Sequence, residues 1–315
     1  MPFIQQKYPL NIQEKDKPVF DVGLEHYIAD PVLNIYTNCW WNPFTRKELK
    51  GFVAKVRQVI ISVLKFRPIK RIDKAAWVTD GYSANYFHWI NDVLPKVLFL
   101  QSKNIQCPVL IPKEFSKCRY VEESLQLLGI SYILWPTQGI NFIHQLYIPE
   151  VGASGGQDLF YFPLLHNKLR AMTLHVSPSK KLFISRQKAN TRKIVFFDEI
   201  ENIISQNGFE IVCPEMLSFK EQGQLFSSAT HIIGIHGAGL SNMIFMGSGC
   251  RVLEIRRSND FWNYCYYFMA STLNLGYYYF MAEGAGVSTV VQGDNLIINS
   301  AEFQLVLKDF INNPV

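Results

Sequence analysis

The sequence predicts an α/β fold made of two β/α domains in tandem. Short apolar runs alternate with segments of helical periodicity, an order typical of parallel sheets covered by helices. The 315 residues exceed the usual size of one domain, and a loop-like stretch, VGASGGQD at 151–158, separates two such series. We therefore predict an N-terminal domain at 1–160 and a C-terminal domain at 161–300. A last helix at 301–315 is expected to pack back on the N-terminal domain.

The first series begins with a segment that could form either a helix or a strand. Residues 48–66 have apolar positions at near-helical spacing, but the β-branched run VIISV also suits a strand. Residues 84–101 predict a helix in which Pro95 bends the axis or begins a new turn. The other predicted elements are strands at 75–80, 107–112 and 131–136, and a helix at 121–129 that ends at Gly129.

Strands and helices alternate in the same way through the second series. Ser218 and Glu221 form a capping box, because Ser218 can accept from the N–H of Glu221 while Glu221 reaches back to the N–H of Ser218. The predicted strands lie at 178–186, 209–214, 230–235, 251–256 and 276–282. The predicted helices lie at 162–176, 198–207, 219–229, 261–275 and 301–312.

Composition and charge exclude several classes of protein. No run reaches the roughly 18 apolar residues of a membrane span, and the N-terminus lacks the pattern of a signal peptide. Six scattered cysteines without C-x-x-C spacing indicate free thiols in a reducing compartment. The net charge of +5 suits an acidic ligand or an anionic membrane face. The densest basic cluster, KFRPIKR at 65–71, is broken by Pro68, so we expect a solvated loop and no nucleic-acid partner.

The stretch HIIGIHGAGLSN, residues 231–242, carries the first functional signal. Its apolar run predicts a buried strand that ends at His236, and Gly237, Ala238 and Gly239 then form a loop nearly bare of side chains. The next residues can begin a helix whose unpaired N–H groups and positive dipole end would face this loop. Such a loop can hold a phosphate. A tight turn also needs glycine when nothing binds, so both interpretations stay open at this point.

A dinucleotide-binding enzyme is the other class that uses such a loop. Gly234, Gly237 and Gly239 do not have the spacing G-x-G-x-x-G, so the dehydrogenase fingerprint is not matched. Glu254 stands at the end of the next apolar run, where an acidic side chain often meets a ribose hydroxyl. A nucleotide of some kind therefore remains an expected ligand.

In their order along the chain, the motifs of this sequence resemble those of glycosyltransferase family 61, and specifically those of a bacterial-type member. The resemblance covers about residues 77–280. The upstream motif N-x-x-H-x-x-x-D-x-L-P is present as Asn85, His88, Asp92, Leu94 and Pro95. The downstream motifs are Ser185 and Arg186, then Glu215, Ser218, Glu221 and Gln222, then His236 to Asn242, and Glu254. One departure is the basic turn, where Asn190 and Thr191 precede Arg192 and the family often has a second arginine.

This resemblance implies a GT-B fold, with two Rossmann-like domains facing a central cleft and a nucleotide sugar held mainly by the C-terminal domain. It also implies inverting transfer of a sugar, expected from a UDP-sugar, to a glycan hydroxyl. A base must take the acceptor proton, and the leaving diphosphate needs its negative charge stabilised. The expected donor-binding residues are Arg186, Arg192, Glu215, Ser218, His236, Gly237, Ala238, Gly239, Asn242 and Glu254.

On the acceptor side, the resemblance directs attention to Asn85, His88 and Asp92, which steps of three and four residues place on one helix face. We expect His88 to be the base and Asp92 to orient its imidazole. Two alternatives stay open. Asp92 could act directly, or both residues could only tie the helix to the preceding loop, with Asp80 or Glu215 nearer the chemistry.

No metal is expected, because no D-x-D pair occurs in the chain to carry Mn²⁺, and no cofactor beyond the nucleotide sugar is expected either. The expected partners are a nucleotide sugar and a glycan or glycoconjugate acceptor, with peripheral contact to a membrane-linked acceptor. We expect a cytoplasmic enzyme of surface or capsular polysaccharide synthesis, working at the inner face of the membrane. The competing hypotheses are a nucleotide-binding oxidoreductase and a non-catalytic nucleotide-sugar-binding protein.

Overall fold

The computed structural model describes seven stretches of the chain. These are residues 32–41, 70–135, 141–151, 158–173, 177–260, 263–286 and 293–312. The segment 48–66, whose type the sequence left open, lies outside the described residues. So do residues 65–69 of the basic stretch and 152–157 of the predicted loop between the two series. Described residues up to Tyr161 belong to one compact unit, and those from Phe162 onward belong to a second.

The first unit is built on a five-stranded sheet with the order β1-β5-β2-β3-β4. Its strands are β1 (Val32–Trp41), β2 (Lys70–Trp77), β3 (Val109–Pro112), β4 (Tyr132–Trp135) and β5 (Asn141–Glu150). β1 is antiparallel to β5, and the other neighbours are parallel. The parallel pairs confirm the predicted β/α alternation, whereas β1 and β5 had no sequence prediction. One face of the sheet forms a core that includes Trp77, Leu110, Trp135 and Leu146.

Between β2 and β3 the chain is helical in three consecutive pieces. These are α1 (Tyr86–His88), a π-helical turn (Trp89–Val93) and α2 (Leu94–Ser102). Pro95 stands in the first turn of α2, where its missing N–H needs no partner, so the predicted new turn at this proline is confirmed. A 3₁₀ turn (Lys113–Lys117) and α3 (Arg119–Leu127) follow β3.

The second unit contains a six-stranded sheet with the order β11-β10-β9-β8-β6-β7. Its strands are β6 (Lys180–Ile184), β7 (Phe209–Val212), β8 (Ala229–Ile235), β9 (Arg251–Arg257), β10 (Gly276–Gly284) and β11 (Leu296–Ile297). β6 to β10 are parallel, as predicted, and the short β11 is antiparallel to β10. From β6 the chain moves outward to β7 and then back across to β8. The sheet therefore has a topological switch point between β6 and β8, the place where doubly wound sheets bind their ligands.

The helices of the second unit agree with the sequence prediction in number and approximate extent. They are α4 (Tyr161–Thr173), whose first residue closes the first unit, α5 (Phe197–Gln206), α6 (Phe219–Ser227), α7 (Cys265–Thr272) and α8 (Ser300–Asn312). The capping box at the start of α6 is confirmed in both directions, from Ser218 to Glu221 and back. After the loop at Gly237 the helix is of the 3₁₀ type, over Ala238–Phe245.

The last helix packs on the second sheet. Its apolar side chains Phe303, Val306, Leu307 and Phe310 are fully buried in the core of that sheet, together with residues of β8, β9 and β10. The C-terminal sheet thus covers the apolar face of α8, and the packing of this helix on the N-terminal domain stays a prediction.

Two further observations concern the described residues as a whole. No helix within them is long and apolar enough to cross a membrane. Cys107, Cys118, Cys213, Cys250 and Cys265 are free thiols.

Candidate functional site

The switch point of the second sheet brings two predicted site segments together. β6 ends at Ile184, and Arg186 follows two residues later. β8 ends at Ile235 and continues into the glycine loop, residues 236–239. Because Ile184 is the register partner of Gly234, both strands end side by side, and Arg186 and the glycine loop lie at the same edge of the sheet. We call this edge, where β6 to β10 end, the carboxyl edge.

Arg186 and Arg192, the arginine pair, converge on the glycine loop. A Cβ atom built on Gly237 would lie 2.7 Å from Nη1 of Arg186 and 3.6 Å from Nη1 of Arg192. Arg192 Nη1 also donates to the carbonyl of His236 at 2.5 Å, and Arg186 Nη2 donates to the carbonyl of Thr191 at 3.4 Å. Glycine is needed at 237 because a side chain would displace the Arg186 guanidinium.

The arginine pair carries positive charge and has no carboxylate partner among the described residues. The arginines that form ion pairs with carboxylates in this part of the chain are Arg119, Arg256 and Arg257. The Nε atoms of Arg186 and Arg192 are both buried without a hydrogen-bond partner. Burial, and then the charge of Arg192, lowers the pKa of Arg186 below its ordinary value. A buried donor without a partner is costly, so these atoms point to an anionic ligand.

The backbone of Arg192 is in an unusual conformation. Its φ of 58° lies in the left-handed region, which disfavours residues with a Cβ. The chain around it is well fixed, because Lys193 N–H donates to Asn295 and the Ile194 side chain is buried. Such strain persists only where the surroundings enforce it, and it is common at functional sites.

His236 has both ring nitrogens occupied by protein groups. Nδ1 donates to the carboxylate of Glu254, and Nε2 accepts from Asn263 at 3.1 Å. The Tyr266 ring packs edge-on against the imidazole, with centroids 5.1 Å apart. In this structure His236 fixes the loop and its carbonyl holds Arg192, while a contact of the imidazole with phosphate or sugar stays a prediction.

Glu254 is fully buried, with 0% of its surface exposed. It lies in the middle of β9, since the strand continues to Arg257. One carboxylate oxygen accepts from His236 and the other from Tyr277. Burial alone would raise the pKa of Glu254, but the charge of Arg256 and the hydrogen bonds from His236 and Tyr277 hold this pKa below its ordinary value. Glu254 thus supports the glycine loop from beneath, and these contacts disfavour the ribose contact, which stays a prediction.

The remaining donor-side residues lie at or next to the carboxyl edge. Glu215 is exposed in the 3₁₀ turn Pro214–Met216, just after β7, and its charge acts on Arg186. Ser218 serves the capping box of α6. Asn242 is buried and donates to the carbonyl of Gly239 at 3.1 Å, which stabilises the loop from within. Ala238 and Gly239 are the partly exposed part of the glycine loop.

In the first unit, the structure brings His88 and Asp92 together. Nδ1 of His88 lies 2.7 Å from Oδ2 of Asp92, and Asn91 donates to the other oxygen of this carboxylate at 2.8 Å. Asp92 is 3% exposed, whereas His88 is 22% exposed. The Tyr82 ring stacks on the imidazole with centroids 5.4 Å apart. Nε2 is therefore the ring nitrogen of His88 that can take a proton.

Asn85 and Asp80 have local structural partners in the same region. Asn85 is the N-cap of α1 and accepts from the N–H of Phe87 at 2.9 Å. Asp80 accepts from the N–H of Tyr82 and from the Ser83 hydroxyl, both at 2.9 Å, and so shapes the loop before the helix. Both residues thus position the segment that carries His88.

Sequence reasoning missed three residues that support the glycine loop. Asn263, Tyr266 and Tyr277 contact His236 or Glu254. The aromatic richness of residues 261–280 was the one available signal, but it does not show which rings face the loop. Among the described residues, no group of three or more His, Cys, Asp or Glu side chains could hold a metal ion.

Comparison with protein-family models identifies the family of the chain. A family model described as Glycosyltransferase 61 matches residues 86–253, which is more than half of the chain and includes His88, Arg186 and the glycine loop. No curated protein matches the chain.

Replacing Gly237 by alanine tests the convergence of the arginine pair. Since the nearest atom is the flexible end of Arg186, the Gly237→Ala protein should fold with an unfolding temperature close to that of the wild type. Its affinity for inorganic pyrophosphate should fall roughly 10- to 100-fold, the loss expected from one or two charged hydrogen bonds. Calorimetric titration measures this.

Gly81→Ala is the matched control, because that glycine is exposed and a Cβ there would meet nothing within 4 Å. Unchanged pyrophosphate affinity in Gly237→Ala would show that the arginine pair does not bind the anion at this point.

Proposed function

Since the chain belongs to glycosyltransferase family 61, we propose that it transfers a sugar from a nucleoside diphosphate sugar to a hydroxyl of a glycan acceptor. One observation carries the proposal: Arg186 and Arg192, which have no carboxylate partner among the described residues, converge on Gly237 at the switch point of the second sheet. A diphosphate has the negative charge and the acceptor oxygens that such a site lacks.

The arginine pair and the glycine loop supply what the leaving group needs. As the bond to the anomeric carbon breaks, negative charge grows on the diphosphate oxygen. Two fixed guanidinium groups and the first N–H groups of the 3₁₀ helix Ala238–Phe245 would stabilise this charge without reorganising. Arg186 and Arg192 would then act as electrostatic catalysts rather than as proton donors, because guanidinium groups keep their protons.

The nucleoside is proposed to lie over β7. This strand neighbours β6, and Glu215 stands exposed just after it, within electrostatic reach of Arg186. A carboxylate at the end of the strand beside the phosphate site is well placed to accept from ribose hydroxyls. Ser218 lies three residues further on, at the start of α6. Glu254 takes no part in this contact, since its carboxylate is buried under the loop.

His88 is proposed as the base of an inverting reaction. The Asp92 carboxylate fixes Nδ1, so Nε2 can take the proton from the acceptor hydroxyl while that oxygen attacks the anomeric carbon from the face opposite the diphosphate. The alternative in which Asp92 acts directly is disfavoured, because Asp92 is buried and His88 and Asn91 engage its two oxygens. Asp92 is thus a positioning residue.

Several finer features belong to the same proposal. We propose UDP as the nucleotide and a GT-B arrangement of the two Rossmann-like units. The presence of a separate, mainly parallel sheet in each unit supports the latter. We also propose a cytoplasmic place in surface polysaccharide synthesis, with a membrane-linked acceptor. The free thiols of Cys107, Cys118, Cys213, Cys250 and Cys265, which are typical of reducing compartments, support the cytoplasmic location.

Release of the nucleotide tests the function directly. The protein is incubated with a panel of UDP-sugars, with and without glycan acceptors, and UDP is measured. We expect UDP release from at least one donor, and we expect an acceptor to increase it. Binding of NAD⁺ serves as the control for the oxidoreductase alternative. NAD⁺ binding together with no release from any donor would contradict the proposal.

Substitution of His88 separates catalysis from binding. His88→Ala should abolish transfer, because no other group would take the acceptor proton, while the Kd for UDP stays within about twofold of the wild type. Asp92→Asn keeps the shape but turns the orienting carboxylate into an amide, and we expect a loss of roughly 10²- to 10⁴-fold in kcat.

Asn85→Ser keeps a helix cap beside the pair and is the matched control for disturbance of α1. Full turnover in His88→Ala would remove this residue from the mechanism.

The chemistry is proposed to need no metal ion, because the arginine pair supplies the positive charge that Mn²⁺ provides in other transferases. UDP release should therefore persist in millimolar EDTA. Complete loss in EDTA, with recovery on addition of Mn²⁺, would assign the leaving-group charge to a metal and not to Arg186 and Arg192.

A further inference from the structure

The backbone just after Arg192 is held by a distant part of the chain, beyond the residues that the family model matches. Asn295 Oδ1 accepts from the N–H of Lys193 at 2.9 Å, across 102 positions of sequence. The carbonyl of Lys193 accepts from the N–H of Leu296 at 2.8 Å, and the N–H of Val195 donates to the carbonyl of Leu296 at 2.8 Å. These three hydrogen bonds join residues 193–195 to residues 295–296, a contact that we call the anchor.

The Asn295 side of the anchor is fixed by its own neighbours. Asp294 forms an ion pair with Arg257, the last residue of β9, with Oδ2 and Nη2 2.8 Å apart. The carbonyl of Asn295 accepts from the N–H of Ala285 at 2.8 Å. The side chain of Leu296 is buried in the core of the second sheet. The amide oxygen of Asn295 is therefore presented to Lys193 from a backbone that is held on both sides.

The hydrogen bond from Lys193 to Asn295 acts on the backbone of Arg192. The N–H of Lys193 belongs to the peptide group that follows Arg192, so the direction of this N–H reports the ψ angle of Arg192. The φ angle of Arg192 is 58°, in the left-handed region that a residue with a Cβ leaves when nothing holds it. Relaxation of this backbone would turn the Arg192 side chain away from the His236 carbonyl, to which its guanidinium donates.

The exposure of this hydrogen bond indicates what it is for. Asn295 and its bond to Lys193 are exposed, so water could satisfy both groups if the bond were absent. The bond is therefore not needed to avoid a buried unpaired N–H group. Its structural consequence is local, because it holds a strained residue whose side chain reaches the glycine loop.

We propose that Asn295 is a positioning residue of the diphosphate site. Its amide oxygen holds Arg192 in the left-handed conformation and so keeps the guanidinium at Gly237. This inference rests on the proposed function, since it assumes that Arg192 binds the diphosphate. Its effect should be confined to ligands that carry phosphate groups, because Asn295 acts only through Arg192.

The test compares Asn295→Ala with the wild type in calorimetric titrations of UDP, inorganic pyrophosphate and uridine. We expect the affinity for UDP and for pyrophosphate to fall about 10-fold, the loss of one charged hydrogen bond, with uridine affinity unchanged. Asn295→Asp keeps an acceptor oxygen of the same reach and should retain most of the UDP affinity. A loss in Asn295→Asp as large as in Asn295→Ala would contradict the role of this oxygen.

Asn299→Ala is the matched control. Asn299 Oδ1 accepts from the N–H of Glu302 at 3.1 Å, so this exposed side chain makes the same kind of bond at the start of α8. Its loss should lower the unfolding temperature and leave UDP affinity unchanged. Equal losses of UDP affinity in the two alanine variants, or equal losses for uridine and UDP in Asn295→Ala, would make Asn295 a merely structural residue and overturn the inference.

A double variant tests whether Asn295 acts through Arg192. In the Arg192→Gln background, Asn295→Ala should cause no further loss of UDP affinity, because the guanidinium that it positions is already absent. Losses that add in the double variant would show a route that does not pass through Arg192, and they would overturn the inference.

The outcomes also separate this inference from the proposed function. A wild-type protein that binds neither UDP nor pyrophosphate would overturn both. A wild-type protein that binds UDP, with Asn295→Ala binding it equally well, would overturn the positioning role of Asn295 and leave the assignment of Arg186 and Arg192 in place.

Discussion

Two guanidinium groups of like charge meet at one glycine in this protein, and the candidate site depends on how they are held there. Arg186 and Arg192 repel each other, and burial removes part of the water that would screen them. The His236 carbonyl fixes Arg192, a left-handed backbone directs its side chain inward, and Gly237 leaves space for Arg186. A site built in this way holds two like charges without a carboxylate partner among the described residues, and this is the reason for proposing a diphosphate leaving group there.

The support for the arginine pair lies inside the sheet. Glu254 carries a negative charge in the middle of β9, where an isolated carboxylate would be costly. Arg256, Tyr277 and His236 offset that cost by charge and hydrogen bonds, and in return Glu254 fixes the imidazole whose backbone carbonyl holds Arg192. The buried carboxylate of Glu254 thus sets the position of the Arg192 guanidinium through His236. The shape of the site therefore depends on the folding of the sheet core.

The parts of this site that the sequence predicts are those with a local signature. Arg186 follows an apolar strand, and the glycine loop follows another, so both could be placed at strand ends. The sequence places Glu254 at the end of an apolar run, but this position does not show that its side chain is buried in the middle of β9, which continues through Arg257. Asn263, Tyr266 and Tyr277 could not be assigned, because their contacts with His236 and Glu254 depend on which strands become neighbours. In the same way, the apolar face of α8 predicts burial but not the sheet that buries it.

The central claim is that the arginine pair binds the diphosphate of a nucleotide, and a comparison of UDP with uridine tests it most directly. The two ligands differ only in the diphosphate. We expect wild-type protein to bind UDP at least about 100-fold more tightly than uridine, and we expect a double variant with Arg186→Gln and Arg192→Gln to lose most of this preference while its uridine affinity is unchanged. A double variant that retains the full preference for UDP would contradict the account.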